Sequence, residues 1–120
     1  MQKTTTQILI GARKRIEDSE HWIKHSTAKK YDKNGNLINC DATDSDACAW
    51  DPAGAVEAEI PAGQYLNYLP HYLQAVILLD QHCLKGSVRI FNNRPATTHK
   101  DILNIFDKAI ERAKQLKKVD

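Results

Sequence analysis

Apolar residues recur along the chain in blocks whose spacing changes with position. Ile8, Leu9, Ala12 and Ile16 share one face at helical spacing, which predicts a helix over about residues 6–19. Thr4, Thr5 or Thr6 offers a hydroxyl cap to its free first-turn N–H groups. Gly11 inside this helix costs about 1 kcal/mol relative to Ala, which points to a neighbour that packs closely there. Trp22 and Ile23 follow as a bulky apolar anchor. Residues 29–38 then place Asn34-Gly35 between two short strand-like runs, the pattern of a tight hairpin. Asp51-Pro52 reads as a helix start, with Asp as cap and Pro at the first helical position. The helix over residues 52–59 is built of small residues, and Pro61-Ala62-Gly63 ends it.

The next block, residues 70–84, is apolar nearly all round. Such a helix is expected to be buried on most sides, so it is the predicted centre of the core. Residues 87–91 alternate with period two and read as a short strand, followed by a turn at Asn92-Asn93-Arg94-Pro95. Thr98 with Asp101 resembles a capping box. The last helix carries a long apolar stripe of Ile102, Ile105, Phe106, Ala109, Ala113 and Leu116. The expected fold is one mainly helical α+β domain of residues 1–120, with about four helices. Its small antiparallel sheet would combine the hairpin of residues 28–39 with the strand of residues 87–91.

Composition changes this picture little. At 120 residues and 42% hydrophobic the chain sits with ordinary globular domains, away from the disordered corner. No apolar run approaches the roughly 20 residues of a membrane helix, and the opening residues lead into no secretory leader. Three cysteines, Cys40, Cys48 and Cys83, are an odd number without metal-knuckle spacing, so free thiols in a reducing cytoplasm are expected.

Charge adds more. The formal net charge of +2 conceals basic ends around an acidic middle, since residues 40–60 hold six acids and no base. One reading is intramolecular pairing. The other is a polar surface for a protein partner. Nucleic acid is disfavoured, because the aromatic residues lie among acidic and apolar neighbours rather than among the bases.

The usual chemical motifs are missing. His21 and His25 have zinc-like spacing but lie past the expected helix end, with Trp22 where a metalloprotease has Glu. Asp32, Asn34 and Asn36 are spaced as in a calcium loop, yet Leu37 stands where that loop needs Gly. There is no Gly-rich phosphate loop and no G-x-S-x-G elbow. No metal and no cofactor are expected. One constellation remains: Trp50, Asp51, Asn92, Asn93, Thr98 and His99 all lie at junctions between elements, where loops converge into clefts. They offer a carboxylate, two amides, a hydroxyl, an imidazole and an indole. Each also has a structural account as cap, turn former or core residue.

Several of these segments resemble a family of small domains of unknown function found in bacteria and their phages. They are Trp22, the Gly hairpin, residues 49–55, Phe91-Asn92-Asn93, Thr98-His99 and the final helix. The family pattern runs aromatic-Cys-x-x-Gly-Ala and later Asn-Asp. Here Asp51 stands in the Cys place and Asn93 in the Asp place, so any catalytic Cys of the family is lost in this chain. The resemblance implies no established activity.

Three functions compete at this point. The first is a small cytoplasmic binding protein, phage-encoded and acting on a host or defence protein. The second is a hydrolase using Asp51 and His99 as acid–base partners. The third is a subunit of a larger assembly, with the helix of residues 52–59 at an interface. Homo-oligomerisation is left open.

Overall fold

The structure is a computed structural model that describes residues 2–84 and 86–119, with side chains described as far as Leu116. The order of elements is α1 (Thr5–Arg15), a 3-10 turn (Ser19–His21), β1 (Ala28–Tyr31), β2 (Leu37–Cys40), β3 (Ala49–Trp50), α2 (Pro52–Ala58), α3 (Tyr65–Gln81), α4 (Val88–Asn93) and α5 (His99–Val119). The fold is α+β, with five helices among the described residues and one three-stranded antiparallel sheet of order β2-β1-β3.

Thr4 caps α1 through a complete capping box with Gln7: the Gln7 N–H donates to Thr4 Oγ1 at 3.1 Å and the Thr4 N–H to Gln7 Oε1 at 2.9 Å. The helix stops at Arg15, four residues before the expected end, because Asp18 leaves helical geometry to cap the 3-10 turn. Ile8, Leu9, Ala12 and Ile16 are fully buried as their spacing predicts. They lie on the side of α1 that packs against α2, α3 and α5.

The hairpin forms where expected. Gly35 takes a positive φ of 80°, while Asn34 does not, and the Asp32 N–H donates to the Asn36 carbonyl at 2.8 Å to close the loop. Asp32 Oδ1 accepts from the N–H groups of Asn34 and Asn36, so its carboxylate holds the turn together.

The third strand corrects the sequence expectation. It is Ala49–Trp50, paired with β1 through Ala28↔Trp50 and Lys29↔Ala49, and not residues 87–91. Residues 88–93 form α4 instead, which raises the helix count from four to five. Alternation over five residues does not separate strand from helix. What decides it is Ser87, whose hydroxyl accepts from the Ile90 N–H at 3.2 Å, and the burial of Val88 and Asn92, four residues apart on one helical face.

The helix α3 departs from expectation twice. It begins five residues before Pro70, at Tyr65. Pro70 lacks the N–H that would serve the carbonyl of Leu66, a residue 80% exposed, so the missing bond falls on the open side of the helix. The helix also ends at Gln81 rather than Leu84, because Asp80 Oδ1 accepts from the Val88 N–H at 2.7 Å and draws α4 back against it. Nor is α3 the most buried element. Tyr68, Ala75, Leu78 and Leu79 are buried, but Leu73 and Ile77 are 49% and 52% exposed. The chain covers one side of an all-round apolar helix and leaves the other open.

The small residues of α2 are spent inside the chain. Pro52, Ala53, Gly54, Ala55 and Val56 are buried against neighbouring elements that include α1, α3 and α4. This face is therefore occupied, and it is not free to form the subunit interface considered above. A Cβ at Gly54 would stand 2.2 Å from the Thr27 carbonyl, so only glycine lets α2 approach the start of the sheet. On α1, a Cβ at Gly11 would stand 1.9 Å from Glu59 Oε1, which explains the glycine in that helix.

Candidate functional site

The strand β3 delivers Trp50 and Asp51 directly to the start of α2. Asp51 is 1% exposed and caps this helix, with Oδ1 accepting from the Gly54 N–H at 2.6 Å. Its other oxygen, Oδ2, pairs with Arg89 Nε of α4 at 3.1 Å. Burial raises the Asp51 pKa above the ordinary 3.8, against the opposing pull of the Gly54 N–H and Arg89. Burial also raises Glu57 and Tyr72. The Arg89 charge opposes all three shifts. Sequence reading missed Arg89 because it placed that residue in a strand.

On the same short helix, Asn92 is fully buried. Its Oδ1 accepts from Trp22 Nε1 at 2.7 Å and its Nδ2 donates to the Ile23 carbonyl at 2.9 Å. Asn93 Oδ1 accepts from the His25 N–H at 2.8 Å, which fixes His25 at a φ of 67°. The two asparagines thus clamp the segment after the 3-10 turn onto α4. Trp22 was named only as an anchor; its indole N–H is the donor that a buried asparagine beside a helix needs.

His99 opens α5. Its Nε2 lies 2.6 Å from the Ile16 carbonyl, an acceptor, so Nε2 carries the proton and donates. Its ring packs on Trp22 with centroids 5.4 Å apart. Thr98 forms the expected box: the Asp101 N–H donates to Thr98 Oγ1 at 3.2 Å and the Thr98 N–H donates to Asp101 Oδ2 at 2.9 Å. These bonds hold Asp101 below the ordinary carboxylate pKa. Trp50 Nε1 donates to the Ala42 carbonyl at 3.0 Å, and the Arg15 guanidinium lies over its ring.

The structure thus gathers Trp50, Asp51, Asn92, Asn93 and His99 around α4 and Trp22. Thr98 lies beside them, bonded to Asp101. No hydrogen bond joins Asp51 to His99. Both carboxylate oxygens, both ends of the Asn92 amide and the Nε2 proton of His99 are engaged within the chain. Chemically, the arrangement positions elements. His21 and His25 do not share a helical face, since the 3-10 turn ends at His21, whose Nδ1 donates to the Cys48 carbonyl at 2.7 Å. Among the described residues no three His, Cys, Asp or Glu side chains are grouped to hold a metal ion.

Three of the six acids in the middle are likewise paired with the basic ends. Glu59 pairs with Lys3 and Arg15, Asp44 with Lys30, and Asp51 with Arg89.

Open concave surface lies elsewhere, between α3 and α5. A groove of about 400 Å³ is lined by Pro70, Leu73, Ile77 and Leu78 of α3 and by Arg112 and Leu116 of α5. A smaller cavity of about 190 Å³ adjoins it at the start of α1, where Thr5 Oγ1 donates to Gln74 Oε1 at 2.7 Å and lies 3.1 Å from His71 Nδ1. The sequence signal for this groove was the all-round apolarity of residues 70–84, read as core instead of surface. No helix among the described residues is long and apolar enough to cross a membrane.

No curated protein and no solved structure matches the chain. A family model does match, over residues 1–112, and by that match this chain belongs to DUF6197, a family of unknown function.

Proposed function

We propose that the chain is a non-enzymatic interaction domain whose partner is a protein. The observation that carries this reading is the open side of α3: Leu66, Leu73 and Ile77 stand exposed beside an apolar groove, on a helix whose sequence is suited to burial all round. The engaged state of Asp51, Asn92 and His99 supports the same reading, because a general acid–base pair needs free groups that face a substrate. The interaction surface is apolar rather than charged. A cytoplasmic setting fits the three free thiols. A bacterial or phage origin, with a host or defence protein as target, rests on the resemblance noted in the sequence.

The test is site-specific photocrosslinking. A benzoylphenylalanine at Leu73 captures protein in cells, whereas the same group at the exposed Ile90 of α4 does not. Equal capture at both positions would count against the reading. So would a hydrolytic activity that His99→Ala abolishes while the melting temperature stays unchanged.

A further inference from the structure

We infer that the occupant of the α3 face is a second copy of this chain, seated by antiparallel pairing of α3 with its own symmetry mate. The inference rests on the interaction reading above and names its partner.

Three observations lead to it. The first is electrical. Among residues 61–84 the only acid or base besides histidine is Asp80, whose Oδ1 is committed to the Val88 N–H. On the α5 side Arg112 is the one charged side chain lining the groove, so two copies meet with little like-charge repulsion and a strongly charged partner finds little to complement.

The second is shape. A two-fold interface must be self-complementary, with the same patch on both sides. This face carries both halves of such a match: a ridge of Leu66, Leu73 and Ile77, and beside it the groove between α3 and α5. The ridge of one copy seats in the groove of the other.

The third is size and register. At 17 residues, α3 is about 25 Å long. A standard interface of about 800 Å² per partner is roughly 28 Å on a side, so α3 spans its length while the groove and α5 supply the rest of its width. Leu73 is the central residue of Tyr65–Gln81. In an antiparallel pair about a two-fold axis, Leu73 therefore faces Leu73 of the other copy, and positions N-terminal to it face positions C-terminal to it.

The free β2 edge is the rival contact surface, since β2 borders the sheet with Leu37 and Ile38 exposed. Only four residues long, it offers far less area than α3.

Sedimentation velocity from low to high micromolar concentration tests the proposal. The chain is expected to pass from monomer to dimer. Leu73→Asp and Leu73→Arg are each expected to remain monomeric with unchanged circular dichroism, and an equimolar mixture of the two is expected to recover the dimer. Should either variant unfold, Leu73→Cys, in a chain whose other cysteines are serine, is expected to crosslink to itself with a short bifunctional reagent, and Ile90→Cys is not. The proposal is overturned by a chain that stays monomeric throughout, or by a dimer that survives Leu73→Asp. It is also overturned by a dimer lost in Asn39→Pro but kept in Ile77→Asp, which would move the contact to the β2 edge. A monomeric chain that still crosslinks to another protein at Leu73 would remove the second copy and leave the interaction reading standing.

Discussion

Replacing Asp51 with alanine deprives the Gly54 N–H of its acceptor at the start of α2. The expected cost is about 1–2 kcal/mol, the range for a lost helix cap. Arg89 is half exposed and regains water, so the broken pair adds little. Asp51→Asn keeps an acceptor for Gly54 and removes the buried charge. Because burial raises the Asp51 pKa, its protonated form is the one the fold favours. That contribution is fully present below the ordinary value of 3.8 and is lost as pH rises through the raised folded value. The native chain's stability relative to Asp51→Asn is therefore expected to fall between acid and neutral pH, as urea unfolding at both would measure. Asn92→Ala acts differently. It strands the Trp22 indole N–H and the Ile23 carbonyl, and each unmet buried group costs about 1–3 kcal/mol. A drop of roughly 2–4 kcal/mol in chemical denaturation is expected. A loss of binding with stability intact would instead assign Asn92 to a cleft.

Among elements, the α1–α2 contact offers a sharp coupling. Glu59 lies against Gly11 and is held there by Lys3 and Arg15. Gly11→Ala is expected to destabilise the native chain despite its better helix propensity. In a Glu59→Ala background the same change is expected to stabilise by up to about 1 kcal/mol, because the obstruction is gone. Thermal melts of the four variants would show the change of sign. On α3, Leu78→Ala is expected to cost about 2–5 kcal/mol, the range for emptying a packed site. Ile77→Ala, measured at low protein concentration, is expected to stay within about 0.5 kcal/mol of the native chain.

Much of this architecture was legible in the sequence. Periodicity placed α1, the hairpin, α2 and α5, because each has a stripe or turn signal that tertiary contacts reinforce. Residues 87–91 were misread because β-branched alternation in five residues is compatible with either state, and the deciding bond from Ile90 to Ser87 is a matter of backbone path. The side of α3 left open was not legible either. Apolarity states that a face prefers burial, not which neighbour buries it. For the candidate site, junction position placed Asp51 and His99 at the starts of α2 and α5, but Asn92 and Asn93, read as a turn, lie inside α4. Their partners Arg89 and Trp22 come from 38 and 70 residues away, a pairing that spacing does not encode.

At the scale of the molecule, charge and thiols make the remaining expectation. The acidic middle and basic ends are joined by ion pairs, four of which involve Asp44, Asp51 or Glu59. All three cysteines are free. Intact mass after alkylation under non-reducing, denaturing conditions is expected to show three additions; a single addition would reveal a disulfide. In the folded chain at neutral pH, Cys83 is expected to react slowest, since burial first, then Asp80, pushes its thiol up to about 11.

The packing of α1 against α5 also has a consequence during synthesis. Ile8 and Leu9 are translated well before Ile102 and Phe106 of α5, the helix that packs on α1. Until α5 emerges, the greasy stripe of α1 is covered only in part, by α2 and α3. A chain stalled before residue 99 lacks the helix that closes this stripe and is left with apolar surface that invites aggregation.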